Sequence, residues 1–211
     1  MPVSFVKICG ITRLEDAQAA VAAGANALGF IFWPKSPRHV DAERARSIVA
    51  TLPRDVMAIG VFVNQPADDV NAVAEDVGLG AVQLHGDEGA DYVRAISRPV
   101  IKAVTLDAAN SAGFAAWLDG VRILLDVHDP EKRGGTGRTI DWTMAAEIAS
   151  QREIVLAGGL TPENVGSAIA RVRPYGIDVS SGVEVSPGIK DPERIKALFE
   201  AVHGSHYATR S

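Results

Sequence analysis

MAIGVFVNQPADDVNAVAEDVGLGAVQLH, residues 57–85, holds one full period of the pattern that decides the fold. MAIGVFV (57–63) is continuously apolar rather than alternating, so it reads as a strand covered on both faces. PADDVNAVAEDVG (66–78) then spaces its apolar residues as a helix does. Pro66 and two aspartates open it, and Gly78 closes it. AVQLH (81–85) is the next apolar run. A strand, a helix and a second strand with so little spare chain form a parallel crossover unit.

The period continues in both directions. VKICG (6–10) and ALGFIF (27–32) precede it; VIKAVT (100–105), RILLD (122–126), EIVLAGG (153–159) and GIDVSS (176–181) follow. The segments between and after them, such as LEDAQAAVAAG, DAERARSIVATL, DEGADYVRAIS, NSAGFAAWLDG, DWTMAAEIAS, TPENVGSAIARV and DPERIKALFEAV, carry helical spacing. Eight strand–helix units at this compactness predict an α/β protein, a single-domain (β/α)8 TIM barrel over residues 1–203. An open doubly wound sheet is the alternative. No linker marks a second domain, and residues 204–211 read as a flexible C-terminal tail.

Composition narrows the function. The chain has 211 residues, 47% hydrophobic and 22% charged, enough to bury a core without staples. A net charge of -5 argues against a nucleic-acid or polybasic membrane partner. One cysteine cannot form an internal disulfide, which fits a reducing cytoplasm. The first residues lack a signal-peptide pattern, and no apolar stretch is long enough for a bilayer. A monomer is the expected state, with a dimer as the alternative.

In a barrel every strand's C-terminal end faces one mouth. Those ends read Cys9, Phe32 to Pro34, Val63–Asn64, His85–Gly86, Thr105, Asp126, Gly158–Gly159 and Ser180–Ser181–Gly182. AGGL (157–160) leads into TPENV, and SSGVE (180–184) closes the last strand. Glycine lets backbone N–H groups approach an anion, a helix start adds partial positive charge, and loops 7 and 8 are the usual phosphate cradle. The plainer account is two tight turns.

Asp126 shares a strand face with Leu124, so an aspartate at the mouth puts that leucine inside. Over an apolar floor its carboxyl could act as a general acid; equally, it could bond the following turn. If Cys9 faces the mouth, Lys7 lies one layer deeper, where its ammonium would lower the thiol pKa. Asp178 occupies the matching layer of strand 8, a neighbour of strand 1, and is expected to pair with Lys7. A structural ion pair beneath a core cysteine is the competing account.

WPKSPRHV (33–40) offers Arg38, whose planar fork suits a carboxylate, or which is simply solvated. His85 and Gln83 share one inward face and could add polar contacts to a ligand, although a satisfied interior histidine is the simpler account. HDPEKRGGTGRTID (128–141) lacks the Lys-Ser/Thr of a P-loop and reads as a flap over Asp126, or as a plain loop. The chain offers no HExxH, paired-cysteine or clustered-histidine ligand set, so no metal is expected.

KICGIT, GFIFWPKSPRHV, GVFVN, QLHG, LLDV…GGTG, LAGGLTPENV and DVSSGVE, in this order, resemble the phosphoribosylanthranilate isomerase family of tryptophan biosynthesis. The likeness runs from the first strand to the last helix. It implies a cofactor-free TIM barrel for the Amadori rearrangement of N-(5-phosphoribosyl)anthranilate to the carboxyphenylamino-deoxyribulose phosphate. It also implies Cys9 as general base, Asp126 as general acid and Arg38 at the anthranilate carboxylate. Gly158, Gly159, Ser181 and Gly182 would hold the phosphate. Two rival functions are a histidine-pathway isomerase, which would need a second phosphate cradle and paired carboxyls, and a non-catalytic sugar-phosphate binder.

Overall fold

The computed structural model describes residues 3–105, 120–126 and 142–208. Its eight parallel strands are β1 (Phe5–Cys9), β2 (Ala27–Ile31), β3 (Met57–Phe62), β4 (Ala81–Leu84), β5 (Val100–Thr105), β6 (Arg122–Asp126), β7 (Ile154–Ala157) and β8 (Gly176–Val179). They hydrogen-bond in chain order and close between β8 and β1, so the sheet is a barrel and not the open alternative.

The described helices are α1 (Leu14–Ala23), α2 (Ala42–Val49), α3 (Ala67–Val77), α4 (Ala90–Arg94), α5 (Thr143–Gln151), α6 (Val165–Val172) and α7 (Pro192–Ala208). Local chemistry fixes several ends. Asp41 caps α2 by accepting from the Arg44 N–H at 2.8 Å, while α1 and α3 stop at Gly24 and Gly78. On α6 the buried residues are Val165, Ala168, Ile169 and Val172, the one-face spacing of a helix laid on a sheet. Each Val or Ile buried there contributes roughly 1.5–3 kcal/mol.

Two departures from the sequence reading concern boundaries. The segment at 87–97 forms only the five-residue α4, and the last helix continues to Ala208, past the expected end of the barrel at 203. The expected helix at 110–120 falls almost wholly outside the described residues. So does the expected flap at 128–141.

Two apolar clusters make the core. The larger lies between strands and helices, and the smaller fills the barrel. Inside, Phe5, Ala27, Ile59, Ala81, Leu124 and Val155 pack below the mouth. Arg122 closes the opposite end, its guanidinium 4.4 Å from the Tyr175 ring centroid. Leu124 is fully buried inside, so strand alternation carries Asp126 to the mouth. The same two-residue period carries Phe5, Lys7 and Cys9 up β1.

Candidate active site

The barrel mouth opens into a cavity of about 240 Å³ whose lining includes Cys9, Arg38, His85, Asp126, Gly158, Gly159 and Ser181. Seven of the eight sequence-selected site residues therefore meet in one place. The eighth, Gly182, lines an adjoining recess of about 310 Å³ that shares Gly159, Leu160 and Ser181 with the first.

The thiol sits over a buried ion pair. Lys7 and Asp178 are register partners across the β1–β8 seam, and Lys7 Nζ donates to Asp178 Oδ2 at 2.8 Å. Both residues are buried, Lys7 completely. Cys9 pairs in register with Gly29 of β2, where a Cβ would stand 2.8 Å from its Sγ and 3.0 Å from Lys7 Nζ. A glycine is what leaves room for the thiol and the ammonium together.

Lys7 acts on the thiol in the expected direction, but burial outweighs it. Burial pushes the Cys9 thiol above its ordinary value; Lys7 and Lys190 pull it down, Asp178 adds to the rise, and burial prevails. Burial also works against the Lys7 charge, but Asp178 and the thiol outweigh it, and the Lys7 pKa is raised. Lys7 thus moderates the rise at Cys9 without reversing it, because desolvating a thiolate at the top of a packed barrel exceeds the help of one neighbouring cation.

Arg38 is not a solvated loop residue. Glu184 holds it in a bidentate clasp, with Nε to Oε1 at 2.9 Å and Nη2 to Oε2 at 2.7 Å. Glu184 sits at the start of a hairpin, β9 (Glu184–Ser186) and β10 (Ile189–Lys190), that the sequence reading did not anticipate. Its Oε1 also accepts from the fully buried Lys190 Nζ at 2.8 Å and from the Gly188 N–H at 3.2 Å. Burial raises the Glu184 pKa, yet bonds to Arg38 and Lys190 hold it below the ordinary carboxylate value. Burial lowers that of Lys190 despite its partner. The structure places Arg38 at the mouth with its guanidinium bound to Glu184. Its anchor, 146 residues away, was missed because no local signal connects the two.

The Gly-rich turns take the predicted place by a different construction. The helix does not begin at AGGL: α6 starts at Val165, and a turn intervenes. Asn164 organises that turn, accepting from the Thr161 N–H at 2.8 Å and donating to Gly159 O at 2.9 Å. Gly158 and Gly159 have φ of 93° and 63°, a left-handed backbone that glycine adopts freely. The facing turn is a short 3-10 helix, Ser181–Val183. A Cβ on Gly182 would fall 1.9 Å from Leu160 O, so the two turns touch backbone to backbone only because this residue is glycine. Arg194 locks them from behind through Nε to Gly182 O at 2.9 Å.

His85 departs from the interior reading. Its side chain is 39% exposed at the rim, with Nε2 3.6 Å from Asp126 Oδ2. Its Nδ1 meets Gln83 Nε2 at 3.0 Å. The other ring nitrogen is the one that faces Asp126. Asp126 is a quarter exposed, and it and Cys9 both line the cavity. Among the described residues no group of three or more His, Cys, Asp or Glu is placed to hold a metal ion.

The molecule is thus of the (β/α)8-barrel class, with two glycine-built turns, a thiol and a carboxyl gathered at its C-terminal mouth. Residues 6–201 match the family model for N-(5'phosphoribosyl)anthranilate (PRA) isomerase, and the chain belongs to that family. It is 50% identical over 194 residues to N-(5'-phosphoribosyl)anthranilate isomerase of Citrifermentans bemidjiense, covering 92% of this chain and 94% of that one. With the Pseudomonas fluorescens protein of the same name it is 48% identical over 208 residues, covering 98% and 99%. The crystal structure of phosphoribosyl anthranilate isomerase from Thermotoga maritima superposes with a TM-score of 0.88 at 46% identity, covering 97% of this chain and 100% of that one. A second such structure, in complex with reduced 1-(o-carboxyphenylamino)-1-deoxyribulose 5-phosphate, gives a TM-score of 0.85 at 44% identity, again over 97% and 100%.

Proposed function

We propose that the mouth cavity carries out the family's isomerisation by general acid/base catalysis between Cys9 and Asp126. The activity, the Amadori rearrangement of N-(5'-phosphoribosyl)anthranilate in tryptophan biosynthesis, follows from family membership. The observation that supports the residue roles is that the thiol, the carboxyl and the paired glycine turns line one cavity.

The phosphate docks on the turns at Gly158–Gly159 and Ser181–Gly182, where backbone N–H groups and the start of a short helix favour an anion. The anthranilate carboxylate meets the edge of Arg38 that Glu184 leaves open. Asp126 gives its proton to the furanose oxygen. The C–O bond breaks, and the anilino nitrogen's lone pair completes a protonated Schiff base. Cys9, as thiolate, takes the proton from C2, and those electrons neutralise the iminium nitrogen to give an enolamine. Tautomerisation yields the ketone. One proton is given and one is taken, so the step needs no redox partner.

Burial keeps the thiolate the minor form near neutrality, so turnover should climb as pH approaches the raised thiol value. A single unpaired cysteine supports the cytoplasm as its location.

The test follows anthranilate fluorescence as substrate is consumed. Cys9→Ala and Asp126→Asn should each lower kcat by about 10²–10⁴-fold while still binding the reduced product analogue. A Cys9→Ala protein with near-normal kcat would refute the base assignment.

A further inference from the structure

Lys190 is a buried cation that the reaction above leaves without a task. Its side chain is fully covered, and it stands on β10, the short second strand of the hairpin. Three bonds fix it. Nζ donates to Glu184 Oε1 at 2.8 Å and to Ser180 O at 3.2 Å, and the backbone N–H donates to Asp16 Oδ2 at 3.1 Å. Among the described residues Glu184 is the one carboxylate in ion-pair contact with this ammonium. Yet Glu184 already clasps Arg38 through both of its oxygens. One carboxylate therefore serves two cations, and the cluster of three side chains is left net positive.

Burying that surplus is unfavourable, and an apolar side chain would pin the hairpin without it. What the ammonium adds is a division of Glu184. With Arg38 as its sole partner, the clasp would be a neutral pair with little attraction for a second anion. Lys190 competes for the same carboxylate and leaves the guanidinium charge only partly compensated. That charge is turned toward the reaction. Arg38 lines the cavity together with Cys9, and it lies across the end of β1, where a Cβ on Gly10 would stand 2.8 Å from Arg38 Cδ. Resting on the function proposed above, we infer that Lys190 is a positioning residue: it holds Glu184 in place and keeps the Arg38 clasp net positive toward the ring carboxylate of the substrate.

Calorimetric titration of the full chain tests this with two ligands. One is reduced 1-(o-carboxyphenylamino)-1-deoxyribulose 5-phosphate, and the other is the same molecule without its ring carboxylate. Wild-type protein should prefer the first by about tenfold or more, the scale of a charge-assisted hydrogen bond. In Lys190→Met that preference should shrink to about threefold or less, with the loss confined to the carboxylated ligand. Lys190→Gln keeps a donor for Glu184 and Ser180 but not the charge. It should behave alike, and it decides the matter if Lys190→Met fails to fold. Variants that retain the wild-type preference, including any that weaken both ligands by one common factor, would reduce Lys190 to a structural pin and overturn the inference. A wild-type protein indifferent to the ring carboxylate would overturn the docking proposed at Arg38 and this inference with it. Failure of the carboxylated ligand to bind wild type at all would overturn the proposed function itself.

Discussion

Replacing Lys7 by methionine removes the ammonium while keeping a long apolar stem in the barrel. The Lys7–Asp178 contact is 2.8 Å with side-chain exposures of 0% and 8%. At an effective dielectric near 20, two unit charges at that separation attract by about 6 kcal/mol. Desolvation offsets much of this, but breaking one side strands the other charge, for a net loss of about 3–5 kcal/mol. In a chain of this length that corresponds to a fall in Tm of roughly 10 °C. The double variant Lys7→Met/Asp178→Asn should recover much of that loss, because no bare charge remains.

The thiol reports a different order. Lys7 holds the Cys9 pKa down and Asp178 pushes it up, against a background set by burial. The pH at which Cys9 alkylates should therefore be lowest in wild type, higher in the double variant and highest in Lys7→Met. Cys9 is the only cysteine, so iodoacetamide labelling followed by mass spectrometry reads one site. The reasoning fails if Lys7→Met labels at the wild-type pH, or if it melts within a degree of wild type.

Arg38→Ala should raise KM by about tenfold or more, the scale of a charge-assisted hydrogen bond, with kcat changed much less. Glu184→Gln should move KM in the same direction by a smaller factor, and steady-state fluorescence assays separate the two constants. Gly182→Ala would bring a Cβ to 1.9 Å from Leu160 O and force the two turns apart. Competitive inhibition by inorganic phosphate should then weaken by at least about tenfold while kcat falls less. Acid should unfold the protein from the ordinary carboxylate range downward. Glu184, and Glu88, whose buried carboxylate accepts from Lys102 Nζ at 2.9 Å and from the Asn64 N–H at 2.8 Å, have folded-state pKa values held below their unfolded ones, so their stabilisation is full above the unfolded value and drains away as pH falls through the folded one. Urea midpoints between pH 7 and pH 3 measure this, and Glu88→Gln should flatten the curve.

The sequence made the barrel legible because β1 to β8 are buried on both faces and so read as unbroken apolar runs. Once the strand order was in hand, the Lys7–Asp178 pair followed from parity and adjacency alone, and the structure places it in that register. Three features were out of reach for physical reasons. Glu184 clasps Arg38 through a hairpin too short to announce itself as strands. The sign at Cys9 depends on how completely the thiol is desolvated, which packing decides and spacing does not. The start of α6 slipped to Val165 because the Asn164 side chain offers the backbone of the TPEN segment a turn in place of a helix.

The ion pair under the thiol joins the first stave to the last, 171 residues apart. While the chain emerges from the ribosome, Lys7 has no counter-charge until almost everything else has been made. Burying the inner side of β1 before β8 is in place would trap a naked ammonium, which disfavours early closure of the sheet. Closing the barrel and neutralising its most deeply buried cation are then one event.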